Sequence, residues 1–534
     1  MHRRALIRSI PGPLVALLLT ACGGDEPALH EAPRTTATTT TGGGGSGGSG
    51  GQPEPQPAPL VWAPCDTSTW PAGYPKPPQG VVCTTVDVPL DHAAPEGPTL
   101  ALRVARQPAS EPSGRAVFQI AGGPGGSAVN QTGLIPGYLP DLSKHFDLVY
   151  VDARGTGASG YLDCSGGYPD TQAQWEACGA EHAADPLDHY MSVDAAHDLD
   201  LVRRRMGYER IGLRAGSYGT RLALEYLRQH ADGAGAVVLD GVVPTDDDFF
   251  GLLAKQFDLG IEWLVADCAA DPACLAVAPD VGADLASWRA AVAASPRPIE
   301  AGGSSTVEDE PTFLEALEVT LYDASLRFRV PRAIHTALAG DHAGWNSVLS
   351  DIYGVTIEDP TAASATAAAA PSAVARPRLP PEHRPAATRG ASYVSPAVWM
   401  AVVCAEMLPN AGGLGALEAA TAAQTWPSGR ALVYAHACAS WNVTPLSAEL
   451  LAPVAVDAPV LALSGALDLK TPPAAGAHAA ASLPGATHLV VPYTFHGTLT
   501  QPCVAAIMTA YFEADGDAAQ VDTTCLAGIQ PPPW

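Results

Sequence analysis

The chain has 534 residues, 47% of them hydrophobic, with 55 acidic against 29 basic side chains and a formal charge of −26. That apolar content supports a large buried core, expected as one catalytic domain carrying a sizeable insertion. The acidic balance repels phosphate backbones and excludes nucleic acid as a partner.

Residues 1–22 read as a targeting segment, with a basic head (Arg3, Arg4, Arg8) and an apolar run, Leu14–Leu19, too short to span a bilayer. Leu19-Thr20-Ala21-Cys22 resembles a bacterial lipobox, so Cys22 is the expected lipidation site. The protein is then an exported lipoprotein held to a membrane by acyl chains and facing the periplasm or extracellular space. An ordinary secretory signal with a coincidental cysteine is the other reading. Residues 23–60 are Thr-rich, then Gly/Ser-rich, then Pro-rich. They carry too little apolar area to offset ordering entropy and read as a disordered tether. Of the eleven cysteines, the ten beyond Cys22 suit an oxidising compartment. Sequential neighbours suggest the pairs Cys65–Cys83, Cys164–Cys178, Cys268–Cys274, Cys404–Cys438 and Cys503–Cys525, one connectivity among many. No C-x-x-C spacing occurs, so metal binding by these cysteines is not expected.

The first core segment is assigned to 61–244. Val81–Leu90 and Thr99–Ala105 look like strands separated by a Pro/Gly turn. Ala116–Ile120 is a buried strand running into Ala121-Gly122-Gly123-Pro124-Gly125-Gly126-Ser127, a loop able to point backbone N–H groups at an anion. It lacks G-K-[ST] and is no P-loop, and no cofactor is expected. Phe146–Val151 and Gly235–Val242 are further buried strands. Between those two, Arg210–His230 places Ala215-Gly216-Ser217-Tyr218-Gly219 between a short strand and a helix with apolar spacing of three to four. Strand, sharp turn with serine at its tip, then helix is the context of a nucleophile elbow, with Ala215 in place of the first glycine. The alternation argues for an α/β fold, a mostly parallel sheet with helices on both faces. From 245 to 455 that rhythm stops. Helix-like stretches at 249–268, 312–326 and 396–407, with a low-complexity loop at 359–392, read as an inserted helical cap. The sheet resumes in 456–534 with Pro459–Ser464 and His488–Pro492, then a terminal helix around 504–512.

A serine hydroxyl needs a base, and the base an orienting carboxylate. Asp468 follows the strand ending near Ser464, and His496 follows the one ending at Pro492, giving the order Ser, Asp, His on loops after strands. Ser217, Asp468 and His496 are therefore the expected catalytic residues. Asp457 and His488 precede or begin strands, which puts them at the wrong sheet edge. The N–H groups of Tyr218 and Gly123 are the expected oxyanion donors.

Gly122-Gly123-Pro124-Gly125-Gly126-Ser127, Asp152-x-Arg154-Gly155-x-Gly157-x-Ser159, Gly216-Ser217-Tyr218-Gly219, Leu239-Asp240-Gly241-Val242, the Asp468/His496 pair and Cys438-x-x-Trp441 resemble the tripeptidyl-aminopeptidase-like branch of the prolyl-aminopeptidase clan. The likeness runs from about Val61 to Cys525. Ala121 stands where prolyl aminopeptidases commonly have His. The resemblance implies an α/β-hydrolase that releases short peptides or single residues from a free peptide N-terminus. Such a site needs a carboxylate for the ammonium group. Glu406 is one candidate, and Asp246, Asp247 and Asp248 are others. A carboxylesterase or lipase acting on small esters, and a non-catalytic binding protein, are the competing readings.

Overall fold

In the computed structural model, residues 59–68, 76–360, 394–426 and 428–534 are described. The expected leader with Cys22, nearly all of the 23–60 tether and most of the 359–392 run lie outside them.

The strands in chain order are β1 (Ala63–Pro64), β2 (Val82–Pro89), β3 (Thr99–Gln107), β4 (Arg115–Ile120), β5 (Phe146–Val151), β6 (Ile211–Gly216), β7 (Ala234–Asp240), β8 (Arg297–Ala301), β9 (Ser304–Glu308), β10 (Ile357–Glu358), β11 (Val460–Gly465) and β12 (Ala486–Val491). Nine form one sheet in the order β1-β2-β3-β5-β4-β6-β7-β11-β12. β1 to β3 pair antiparallel, as do β3 and β5, and β5 to β12 across the sheet are parallel. All seven residues of β7 are buried, which is why its sequence is a continuous apolar run rather than an alternating one. Helices Ser192–Met206 and Tyr218–His230 cover one face with Leu199, Val202, Leu222 and Tyr226. Helix Pro502–Glu513 covers the other with Ile507, Met508 and Phe512. A mostly parallel sheet with helices on both faces is what the strand–helix alternation predicts.

The segment between β7 and β11 stands outside this sheet and has its own core, which includes Leu264, Leu285, Trp288, Phe313 and Trp345. The expected helices are there as Phe249–Ala270, Glu310–Thr320 with Ala324–Arg327, and Pro396–Val402 continued by Val403–Met407. Besides the helices expected of a helical cap, the insertion also holds the antiparallel sheet β10-β8-β9. Its hairpin turns at Gly302-Gly303, both at positive φ (55° and 81°), the two-residue glycine turn that suits a right-twisted hairpin. Pro298 and Glu300 are poor strand formers and mask that signal in the sequence.

Disulfides join Cys65–Cys83, Cys164–Cys178, Cys268–Cys274, Cys404–Cys438 and Cys503–Cys525. Five such bonds fit an oxidising, exported environment.

Candidate active site

β6 ends at Gly216 and the next helix starts at Tyr218, so Ser217 alone makes the turn. Its φ of 55° and ψ of −132° lie where a non-glycine residue is strained. The surroundings hold it there. Ser217 N donates to Asp240 O at 2.8 Å. The helix also approaches β4 so closely that a Cβ on Gly219 would stand 2.7 Å from Ala121 O, and one on Gly122 would stand 3.0 Å from Ser217 Cβ. Only glycine fits either place. Ser217 Oγ makes no capping hydrogen bond to its helix and lines a cavity of about 400 Å³.

His496 lines the same cavity. Its Nδ1 lies 2.9 Å from Asp468 Oδ2 and 3.1 Å from Thr471 Oγ1, which leaves Nε2 to serve as the base. Asp468 is fully buried. Burial alone would raise its carboxyl, but the hydrogen bonds from His496 and from Thr471 outweigh that and hold it below the usual range. Thr471 Oγ1 donates to Oδ2 at 2.6 Å, and the N–H groups of Lys470 and Thr471 donate to Oδ1 at 2.9 and 3.0 Å. The carboxylate is thus fixed in orientation and charge.

The glycine loop brings Gly123 to the cavity, beside Tyr218. Asp152 pins that loop, accepting from Ser127 Oγ at 2.6 Å and from the N–H groups of Val129 and Ala158, each at 2.9 Å. Burial raises its carboxyl, which those three bonds oppose. Of the same sequence motif, Arg154 binds Asp198 through Nε and Nη2, and Ser159 Oγ donates to Asp152 O. The Asp152–Ser159 motif therefore builds the loop and does not line the cavity that holds Ser217 and His496.

The four amine-binding candidates separate clearly. Glu406 must be withdrawn. It is buried, and accepts from Arg221 Nε at 2.7 Å, Ser192 N at 2.7 Å and Ser192 Oγ at 2.8 Å. Ser192 Oγ in turn accepts from the Tyr218 hydroxyl at 2.9 Å. Glu406 anchors the helix behind Ser217 to the insertion. Asp248 is the N-cap of helix Phe249–Ala270, accepting from Gly251 N. Asp246 pairs with His478 at 2.7 Å. Asp247 alone lines the cavity, and burial, then repulsion from Asp248, lift its carboxyl to about 6.

Sequence reasoning missed three contributors. Thr471 braces both Asp468 and His496. Asp240 ties the two halves of the site, since its Oδ1 accepts from Thr498 N and Thr498 Oγ1, each at 2.8 Å, while its backbone holds Ser217. Arg214 neutralises it from β6 at 3.1 Å. One charged residue in each of two otherwise apolar strands was the available signal.

Two families match the chain. The family described as alpha/beta hydrolase fold matches residues 116–315, and the family described as TAP-like protein matches 424–525. Serine protease Hip1 of Mycobacterium tuberculosis is 29% identical over 243 residues, 40% of this chain and 46% of that protein. The tripeptidyl aminopeptidase of Streptomyces lividans is 28% identical over 249 residues, 40% of this chain and 45% of that one. Carboxylesterase B of Mycobacterium tuberculosis is 31% identical over 236 residues, 39% and 44% of the two chains. The chain thus spans less than half the length of the curated relatives it matches.

Proposed function

Because the chain belongs to the α/β-hydrolases and carries a TAP-like C-terminal region, we propose that it is a serine exopeptidase acting on peptides with a free N-terminus. The observation that carries this reading is one cavity lined by Ser217, His496 and Asp247, with His496 held on buried Asp468. His496 Nε2 takes the Ser217 proton as Oγ attacks the scissile carbonyl, and Asp468 stabilises the imidazolium. The N–H groups of Tyr218 and Gly123 receive the oxyanion, and removing one such donor typically costs about 2.7–4 kcal/mol of transition-state stabilisation. His496 then gives its proton to the leaving amine and activates water to release the acyl group. Asp247, ionised at neutral pH, pairs with the substrate ammonium group.

In this reading residues 61–244 and 456–534 form the catalytic core and 245–455 the cap that shapes the cavity. Cys22 is the lipid attachment site of an exported protein, so metabolic labelling with a fatty acid is expected to stop in Cys22→Ala.

A carboxylesterase is the second reading, favoured by the apolar side chains Val243, Phe249, Leu252 and Leu253 in the cavity wall and by the likeness to carboxylesterase B. Aminoacyl and tripeptidyl chromogenic substrates, compared free and N-acetylated, separate the two. A free amine is expected to raise kcat/KM. Equal rates would remove the exopeptidase claim and leave the hydrolase standing.

A further inference from the structure

The cavity continues past the reacting groups. A second cavity of about 640 Å³ shares Trp399, Arg430, Tyr434 and Lys470 with it, so these side chains stand where the two meet. Two of the four are cations. Arg430 opens helix Arg430–Ala437, and Lys470 follows Asp468 by two positions. Both side chains are exposed to the cavity space, yet protein surrounds them. Burial, then the Arg430 charge, pulls the Lys470 ammonium below the usual lysine range. Among the described residues neither head group makes a hydrogen bond or an ion pair, and Lys470 only lies over the Tyr322 ring, 5.4 Å from its centroid. Trp399 Nε1 is buried at the same place and also has no partner there.

Guanidinium, ammonium and indole N–H all donate and none accepts, so no rearrangement among the three can satisfy them. Two carboxylates act on them through space. Asp468 is committed to His496 and Thr471. Glu318 lines the second cavity together with Asp170 and Glu315, and its charge acts on both cations without pairing with either. At the junction itself three donors are left facing the cavity without a hydrogen-bond partner among the described residues.

We propose that this junction is an anion subsite that receives a carboxylate of the substrate, supplied by the C-terminus of a short peptide or by an acidic side chain. The inference rests on the exopeptidase reading above and narrows its substrate class. With an ammonium group at Asp247 and a carboxylate at Arg430 and Lys470, the cavity selects short peptides that carry both charges. A hydrogen-bonded carboxylate in such a site is worth about tenfold to a hundredfold in affinity.

The test uses the full chain and three matched tripeptides with free amines: a free acid, its C-terminal amide, and an amide with Glu as the third residue. Binding to Ser217→Ala protein is measured by calorimetry, and kcat/KM is measured on active enzyme. The expected result is that the acid or the Glu-containing amide exceeds the neutral amide at least about tenfold, and which of them does so identifies the source of the carboxylate. In Arg430→Gln and Lys470→Met that ratio is expected to fall towards one, with Arg430→Lys keeping most of it. Equal binding of all three by the Ser217→Ala protein overturns the subsite, and so does a ratio that survives both substitutions. Failure of the exopeptidase reading looks different: the peptides bind with this charge preference but are not cleaved by the active enzyme.

Discussion

On the sheet side of the cavity, charge is paired. Asp468 has His496 and Thr471, Asp240 has Arg214 and Thr498, and Asp152 has three donors, Ser127, Val129 and Ala158. The groups on the remaining wall differ: among the described residues, Asp247 and Arg430 from the insertion and Lys470 from the loop facing it make no ion pair within 4 Å. Paired groups fix where the chemistry happens, since each is held by bonds that exist before any substrate arrives. Unpaired ones that line a cavity are free to take up a charged ligand group. In the proposed reading the sheet side carries geometry and the wall formed by the insertion and the Lys470 loop carries selection, and each substitution below is aimed at one side of that division.

Ser217→Ala should have the largest effect. Turnover is expected to fall by at least about 10³-fold and fluorophosphonate labelling to vanish, while the circular dichroism spectrum stays that of the parent. Labelling that persisted would move the nucleophile elsewhere. Glu406→Gln comes next, and it tests whether Glu406 belongs to geometry or to selection. It leaves Arg221 buried and uncompensated, so urea unfolding should show a loss of about 3–5 kcal/mol. The preference for free over N-acetylated substrates should stay unchanged. Replacing both partners by Met should recover much of the loss, because the cost lies in the orphaned charge. A Glu406→Gln protein of parental stability with a lost amine preference would return this residue to the substrate.

The same division explains what could be read in the sequence. The strands of the large sheet are short apolar runs closed by Gly, Asp or Pro, and the serine, aspartate and histidine each follow one, so the order of elements was enough to bring them to one edge. Glu406 misled because a carboxylate gives no sign in sequence of whether its partner is a ligand or an arginine far away along the chain. Arg221 sits 185 positions earlier, on the helix after the serine. Asp246, Asp247 and Asp248 are three identical side chains in a row, and only the turn into helix Phe249–Ala270 decides that one caps, one binds His478 and one faces the cavity. Arg430 and Lys470 lie 40 positions apart on opposite sides of a chain excursion, and no periodicity links them. The hairpin β8–β9 was hidden for a local reason, the proline and glutamate in its first strand.

Asp247→Asn addresses selection directly. The ratio of kcat/KM for free over N-acetylated peptide is expected to fall about tenfold to a hundredfold, a loss of about 1.4–2.8 kcal/mol. In the parent that ratio should decline as pH drops through about 6, where the Asp247 carboxyl takes up its proton. Using the ratio cancels the titration of His496, which both substrates share. Stability runs the opposite way. The folded carboxyl binds its proton more tightly than the unfolded one, at about 6 against 3.8. Stability from this residue is therefore present below pH 3.8 and lost as pH rises to about 6. Asp247→Asn should abolish that loss and unfold at a higher temperature than the parent at pH 7. A variant with an unchanged amine preference would leave Asp247 as a strained surface acid and move selection to another wall.

Ala215→Gly is the smallest and sharpest case, because it restores the glycine that the elbow motif prefers. Ala215 is fully buried in β6, paired with Ile120 of β4, and its methyl packs in the core beneath the first helix layer. It sits in ordinary strand backbone, two residues before the strained serine, so no positive φ calls for glycine there. Removing the methyl loses about 0.8 kcal/mol of burial, and glycine in a strand costs a further 0.5–1 kcal/mol or so in chain entropy. Thermal unfolding should report a loss of about 1–2 kcal/mol with kcat/KM within about twofold of the parent. A large gain in kcat would mean that the methyl crowds Ser217, and the sheet would then be setting rate as well as geometry.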